Sequence, residues 1–181
     1  NIQNHELLNT IHMPMLEFIG FDFLQEGDLI LQNNPNLVDL GMEQLQVIQN
    51  NLHIDANGLI DISNLNMLTH IGDSFLLSNN SALQTLSSLT SLERVGQDML
   101  IVDNPSLLNI DGLTGHQFIG GTLEIQNNAQ LLSVNLPSLF YVGSTNGMTV
   151  HNNPLLQAVV MSALYTTYGD VRMEYNDALS V

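Results

Sequence analysis

The sequence predicts an all-β protein: a right-handed parallel β-helix of about seven to eight turns, with a ladder of asparagines along one corner. Three observations carry this expectation. One nine-residue phrase recurs along the chain, the copies are nearly evenly spaced, and seven of them hold an asparagine at the same place. Self-similarity at a period of 20 to 50 residues marks a solenoid or array.

The phrase is clearest at Leu123-Glu124-Ile125-Gln126-Asn127-Asn128-Ala129-Gln130-Leu131. With its second apolar residue as marker, the copies fall at Ile2, Leu31, Ile54, Leu77, Ile101, Ile125, Val150 and Met173. Their spacings are 29, 23, 23, 24, 24, 25 and 23. Within each copy apolar and polar residues alternate, the period of a strand with one face buried. Equivalent strands of successive turns then pair in parallel, roughly 4.8 Å apart.

After the strand the rhythm changes. Leu83, Leu86, Leu89, Leu92 and Val95 recur every three residues and close on Gly96. Ile62, Leu65, Leu68, Ile71 and Gly72 do the same, as do Ile110, Leu113, His116, Ile119 and Gly120, with a histidine in an apolar slot. Threes alone fit short extended pieces between corners, whereas an amphipathic helix mixes threes and fours. Residues 11–20 and 134–143 follow a shorter form, in which Pro14 and Pro137 oppose a continuous helix. The closing glycine is expected to supply positive φ at a corner. Residues 155–165 could pass for a helix, but their register fits the repeat and keeps them in the coil. The step of 29 places an insertion at residues 21–27, whose Phe21 and Phe23 suit a cap over the first turn.

The invariant amides are Asn34, Asn57, Asn80, Asn104, Asn128, Asn153 and Asn176; the partial first copy has His5 instead. Asparagine tolerates left-handed backbone and can satisfy backbone groups freed by a corner. The expectation is a structural file of amides bonded along the coil axis. The position before it is looser: Asn4, Asn33, Ala56, Asn79, Asp103, Asn127, Asn152 and Tyr175.

No linker or second composition divides the chain, so residues 1–181 form one domain. The first residue lies inside a repeat, as in a mature or trimmed fragment. No apolar run approaches the roughly 18 residues of a membrane helix. Two arginines, no lysine and 18 acids give a formal net charge of −16. Phosphate binding needs Lys and Arg, so nucleic acid is close to excluded as a partner and anionic membrane surfaces are disfavoured; without a membrane-length apolar run, direct membrane insertion is not expected either. The absence of cysteine removes disulfides, thiolate metal sites and thiol catalysis.

Residues 134–143, Val134-Asn135-Leu136-Pro137-Ser138-Leu139-Phe140-Tyr141-Val142-Gly143, lead into the copy at Met148–Leu156. Together they resemble the repeats of receptor L domains, the leucine-rich β-helical ligand-binding domains of insulin- and epidermal-growth-factor-type receptors. The resemblance is closer to fungal glycolipid-anchored cell-wall-organisation proteins and related bacterial surface proteins. It covers nearly the whole chain. It implies a leucine-rich solenoid fold and a cell-surface or secreted, extracellular binding role. The lack of cysteine and the acidity depart from animal receptors and favour a microbial surface protein.

On the main strand the outward residues form two columns. The first reads Ile30, His53, Leu76, Leu100, Glu124, Thr149 and Arg172; the second reads Gln32, Asp55, Ser78, Val102, Gln126, His151 and Glu174. Ile30, Leu76, Leu100 and Val102 around His53 are the candidate binding stripe, because contiguous exposed apolar surface often marks an interface. Arg94 and Arg172 lie three turns apart, which disfavours an anionic-polysaccharide lyase. The six histidines show no metal-ligand spacing. No cofactor is expected. Calcium is the one ion to weigh, because Asp28, Asp73, Asp98 and Asp170 fall near the corner before the main strand, but no loop repeats a calcium-binding signature. The resulting expectation is a non-enzymatic binding or adhesion module that meets a protein or glycan through its parallel sheet. A structural spacer is the alternative, and a carbohydrate-active enzyme a third reading.

Overall fold

The computed structural model describes residues 1–20 and 27–180. Alternation at the markers does what the pattern requires. Leu29, Leu31, Leu52, Ile54, Phe75, Leu77, Met99, Ile101, Leu123, Ile125, Met148 and Val150 point inward and are buried. Their strands form one long parallel sheet of eight rungs: Ile2–Gln3, Leu29–Gln32, Leu52–Asp55, Phe75–Ser78, Met99–Val102, Leu123–Gln126, Met148–His151 and Val171–Glu174. The register pairs marker with marker throughout, from Ile2↔Leu31 to Val150↔Met173.

A second, short sheet of seven two-residue strands runs up another side of the coil: Phe18–Ile19, Val47–Ile48, His70–Ile71, Arg94–Val95, Phe118–Ile119, Tyr141–Val142 and Thr166–Thr167. The third side holds two isolated pairs, Thr10–His12 with Asp39–Gly41 and Ser133–Asn135 with Ala158–Val160. Single bridges from Thr85 to Asn109 to Ser133 continue it. The architecture is therefore a parallel β-solenoid. Six of its steps lie wholly within the described residues, slightly fewer turns than the seven to eight expected. Residues 155–165 lie in the coil, with a strand at Ala158–Val160 and no helix. The expected cap at Phe21 and Phe23 lies outside the described residues. Among the described residues, no helix is long and apolar enough to cross a membrane.

The period-three residues fill the rest of the interior. Leu83, Leu86, Leu89, Leu92 and Val95 are all buried, as are Ile62, Leu65, Leu68 and Ile71. His116 occupies its slot fully buried; its Nδ1 lies 3.2 Å from the Leu92 carbonyl, and its Nε2 makes no hydrogen bond of ordinary geometry among the described residues. Desolvation pushes its pKa down to about 4, so the ring is neutral.

The asparagines form the expected ladder, with buried amides from Asn34 to Asn153. The backbone N–H of Asn80 donates to Asn104 Oδ1 at 3.1 Å, that of Asn104 to Asn128 Oδ1 at 3.1 Å, and that of Asn128 to Asn153 Oδ1 at 3.0 Å. Each side-chain amide also donates to a strand carbonyl of the preceding turn, as Asn104 Nδ2 does to Leu77 at 3.0 Å. Buried amides are thereby satisfied locally, as they must be.

Two expectations about the corners need correction. Left-handed backbone falls one residue before the ladder. Asn4, Asn33, Ala56, Asn79, Asp103, Asn127, Asn152 and Tyr175 have φ between 52° and 61°, which frees the invariant amide to point inward. Of the closing glycines Gly20 does take positive φ, as Gly147 does elsewhere, but Gly72, Gly96 and Gly120 do not and serve another purpose. A Cβ at Gly96 would collide with the Gly72 carbonyl oxygen, and one at Gly120 with that of Gly96. Bare backbone lies on bare backbone at this corner. Close approach requires the glycine, not its dihedral freedom.

Candidate interaction surfaces

In-register pairing turns the outward residues of the long sheet into true columns. Ile30, His53, Leu76 and Leu100 lie on four adjacent rungs, roughly 14 Å from first to last. Val102 stands two residues along from Leu100 on the same face. All five of these residues are half-buried. The second column carries a polar network: Asp55 accepts hydrogen bonds from Ser78 Oγ at 2.7 Å, Asn79 Nδ2 at 2.8 Å and Gln32 Nε2 at 3.0 Å. Burial pushes the Asp55 carboxyl up, but these donors and nearby His53 outweigh it and hold it below its ordinary value.

The four aspartates weighed for calcium are spread along the corner before the main strand, and each has a partner. Asp28 Oδ1 accepts from the Asn51 backbone N–H at 3.0 Å, Asn51 Oδ1 from that of Ser74, Ser74 Oγ from that of Asp98, and Asp98 Oδ1 from that of Thr122 at 2.7 Å. This is a second polar file, which types as varied as Asp, Asn and Ser concealed in the sequence. Its signal was a short side-chain acceptor just before the strands that begin at Leu29, Leu52, Phe75 and Met99. Asp73 stands one residue off it and accepts from Asn50 Nδ2 at 2.9 Å, while Asp170 pairs with Arg172 at 2.8 Å. Among the described residues, no three His, Asp or Glu side chains come together as a metal-holding group.

Arg172 does meet carboxylates. Asp98, Glu124, Asp170 and Arg172 line a polar groove of about 440 Å³ with Thr122, Thr149 and Asn146. The separation of Arg172 from Arg94 along the chain could not reveal that grouping.

A further surface was missed. The residue two places before the closing glycine is outward on the short sheet, and pairing runs Val47↔His70↔Arg94↔Phe118↔Tyr141↔Thr166. The Arg94 guanidinium carbon lies 3.9 Å from the Phe118 ring centroid. Phe118 and Tyr141 stack at 4.6 Å with an interplanar angle of 4°, and Tyr168 meets Tyr141 edge-on at 5.7 Å. Reading that one position down the repeats would have found His70, Arg94, Phe118 and Tyr141.

The class this geometry defines is a parallel β-solenoid with polar files at two corners and an aromatic row on its short sheet. No family model, curated protein or solved structure matches the chain.

Proposed function

We propose that the protein is a non-enzymatic binding or adhesion module of a secreted or cell-surface protein, meeting a protein or glycan through its long parallel sheet. The observation that carries this reading is the stripe of Ile30, Leu76, Leu100 and Val102 around His53. It holds apolar side chains in register where a solvated sheet face would be polar. The sheet beneath is rigid, because each rung is bonded to its neighbours and backed by a continuous core. A preformed surface loses little ordering entropy when a partner binds. The resemblance to receptor-L repeats and the net charge of −16 support a place outside the cell.

The test is the double variant Leu76→Ser and Leu100→Ser, first checked for an unchanged unfolding midpoint. Parent and variant are then compared on arrays of glycans and of surface-protein ectodomains. Loss of a parental interaction in the variant is expected. Retention of every interaction, or none in the parent, makes the domain a spacer that holds other parts of its protein apart.

A further inference from the structure

The aromatic row of the short sheet has an unusual electrostatic character. Phe118 lies between the Arg94 guanidinium and the Tyr141 ring, so both its faces are spent. Side chains stand roughly perpendicular to a sheet, so the row turns ring rims and guanidinium N–H donors outward. An aromatic rim is the positive part of the ring quadrupole. The rims and the guanidinium therefore form a locally electropositive edge on a protein with two cationic side chains and 18 acidic ones.

Arg94 is also unspent. Arg172 is paired with Asp170, whereas the Arg94 guanidinium makes no hydrogen bond or ion pair among the described residues; only the Phe118 ring holds it. The contact with Phe118 holds the guanidinium in place in advance, which lowers the entropy lost when its forked donors engage a carboxylate. Beside it is a dent of about 220 Å³ lined by His70, Glu93, Arg94, Gln117, Phe118 and Phe140. Cavities for free small ligands are usually about 300–1,000 Å³. This one is the size of an inserted side chain. Exposed Phe140, Tyr168 and Tyr165 flank the row, and Tyr, Phe and Arg are the residues enriched at the centres of protein interfaces.

We propose that this row is a docking surface for a protein partner that inserts an Asp or Glu side chain beside Arg94, with apolar neighbours against Phe140 and Tyr141. At the dent a sugar would need a free aromatic face and both faces of Phe118 are covered, so an acidic oligosaccharide is left as an outcome of the test. A second copy of this chain is disfavoured by its net charge of −16. The proposal is independent of the long-sheet reading, because the two surfaces lie on different sheets. Leu76 and Leu100 test one, and Arg94 tests the other.

The experiment is a random-peptide display library selected on the intact chain, followed by titration of the synthesised peptides. Enriched peptides are expected to carry an Asp or Glu beside apolar residues. Arg94→Gln and Phe118→Ala, each with a parental unfolding midpoint, are expected to weaken them at least tenfold, with Arg94→Lys intermediate. Glu93→Gln is expected to tighten them, because it removes a like charge from the rim of the dent. No enrichment over the Arg94→Gln chain, peptides without a carboxylate, or weaker binding in Glu93→Gln overturns the proposal. So does Arg94-dependent binding of acidic oligosaccharides without any peptide, or Arg94-dependent self-association in sedimentation.

Discussion

The long and short sheets hold the same stack of turns together by opposite means. At the end of the long sheet the corner is filled: an invariant amide points into the core and bonds to the turns on either side. At the end of the short sheet the corner is emptied, and Gly72, Gly96 and Gly120 let backbone rest on backbone. The first corner depends on hydrogen bonds that water cannot replace. The second depends on the absence of a side chain. Outside the core the roles differ again, with half-buried aliphatics on the long sheet and stacked aromatics on the short one.

The largest expected effect breaks the filled corner. Truncating Asn104 to Ala leaves the Asn80 backbone N–H without its acceptor and takes a side-chain donor from the Leu77 and Val102 carbonyls. The orphaned donor costs roughly 1–3 kcal/mol and each other lost hydrogen bond about 0.5–1.5 kcal/mol, so a loss of about 2–5 kcal/mol is expected by denaturant titration. Asn128→Ala should behave alike.

Next comes acid, which acts on the approach to the short sheet. Folded His116 takes a proton only near pH 4, whereas the unfolded imidazole takes one near 6.5. Between those values the unfolded chain holds more protons, so stability falls as pH drops from 6.5 to 4, by roughly 3 kcal/mol. His116→Leu, which restores the apolar rhythm, should flatten that slope. Asp55, held below its ordinary value, loses its contribution only at lower pH.

Gly96→Ala sharpens the contrast between corners. Its Cβ has no room against the Gly72 carbonyl, and overpacking of this kind costs about 1–3 kcal/mol. The smallest effects belong to the left-handed position outside the ladder. Asn33 is exposed there and its side chain bonds to Asn4 alone among the described residues, so Asn33→Ala should cost about 1 kcal/mol. Ala56→Asn should return about as much, because Ala56 already holds φ of 53° without a side chain suited to it. Equal shifts for Asn33→Ala and Asn104→Ala would erase the distinction between the file inside the core and the file beside it.

Those positions also show what the residues could reveal. Marker register, the amide ladder and the period-three core were legible because every repeat writes the same kind of residue in the same slot. The file of Asp28, Asn51, Ser74 and Asp98 was not, since any short acceptor can receive a backbone N–H. The row of Arg94, Phe118 and Tyr141 was hidden for a similar reason. Stacking accepts a guanidinium, a phenyl or a phenol, so no single type repeats. Gly72, Gly96 and Gly120 were seen but given the wrong cause, because their constraint comes from the preceding turn and not from their own dihedrals; of the described closing glycines, only Gly20 takes the expected positive φ. That Ile30, His53, Leu76 and Leu100 share one outward column was legible from the alternation, whereas their half-burial is something alternation does not report.

The ladder also makes the molecule editable in whole units. Asn104 sits above Asn128 just as Asn80 sits above Asn104, so every cut that runs from one ladder position to the next is in phase. Excising residues 105–128 would bring Asn153 against Asn104 and leave a shorter coil with its seams closed. Excising a stretch that is not a full repeat would set polar side chains against the aliphatic interior. Length in such a coil can therefore change by duplication or loss of a repeat, while both long faces keep their lateral pattern.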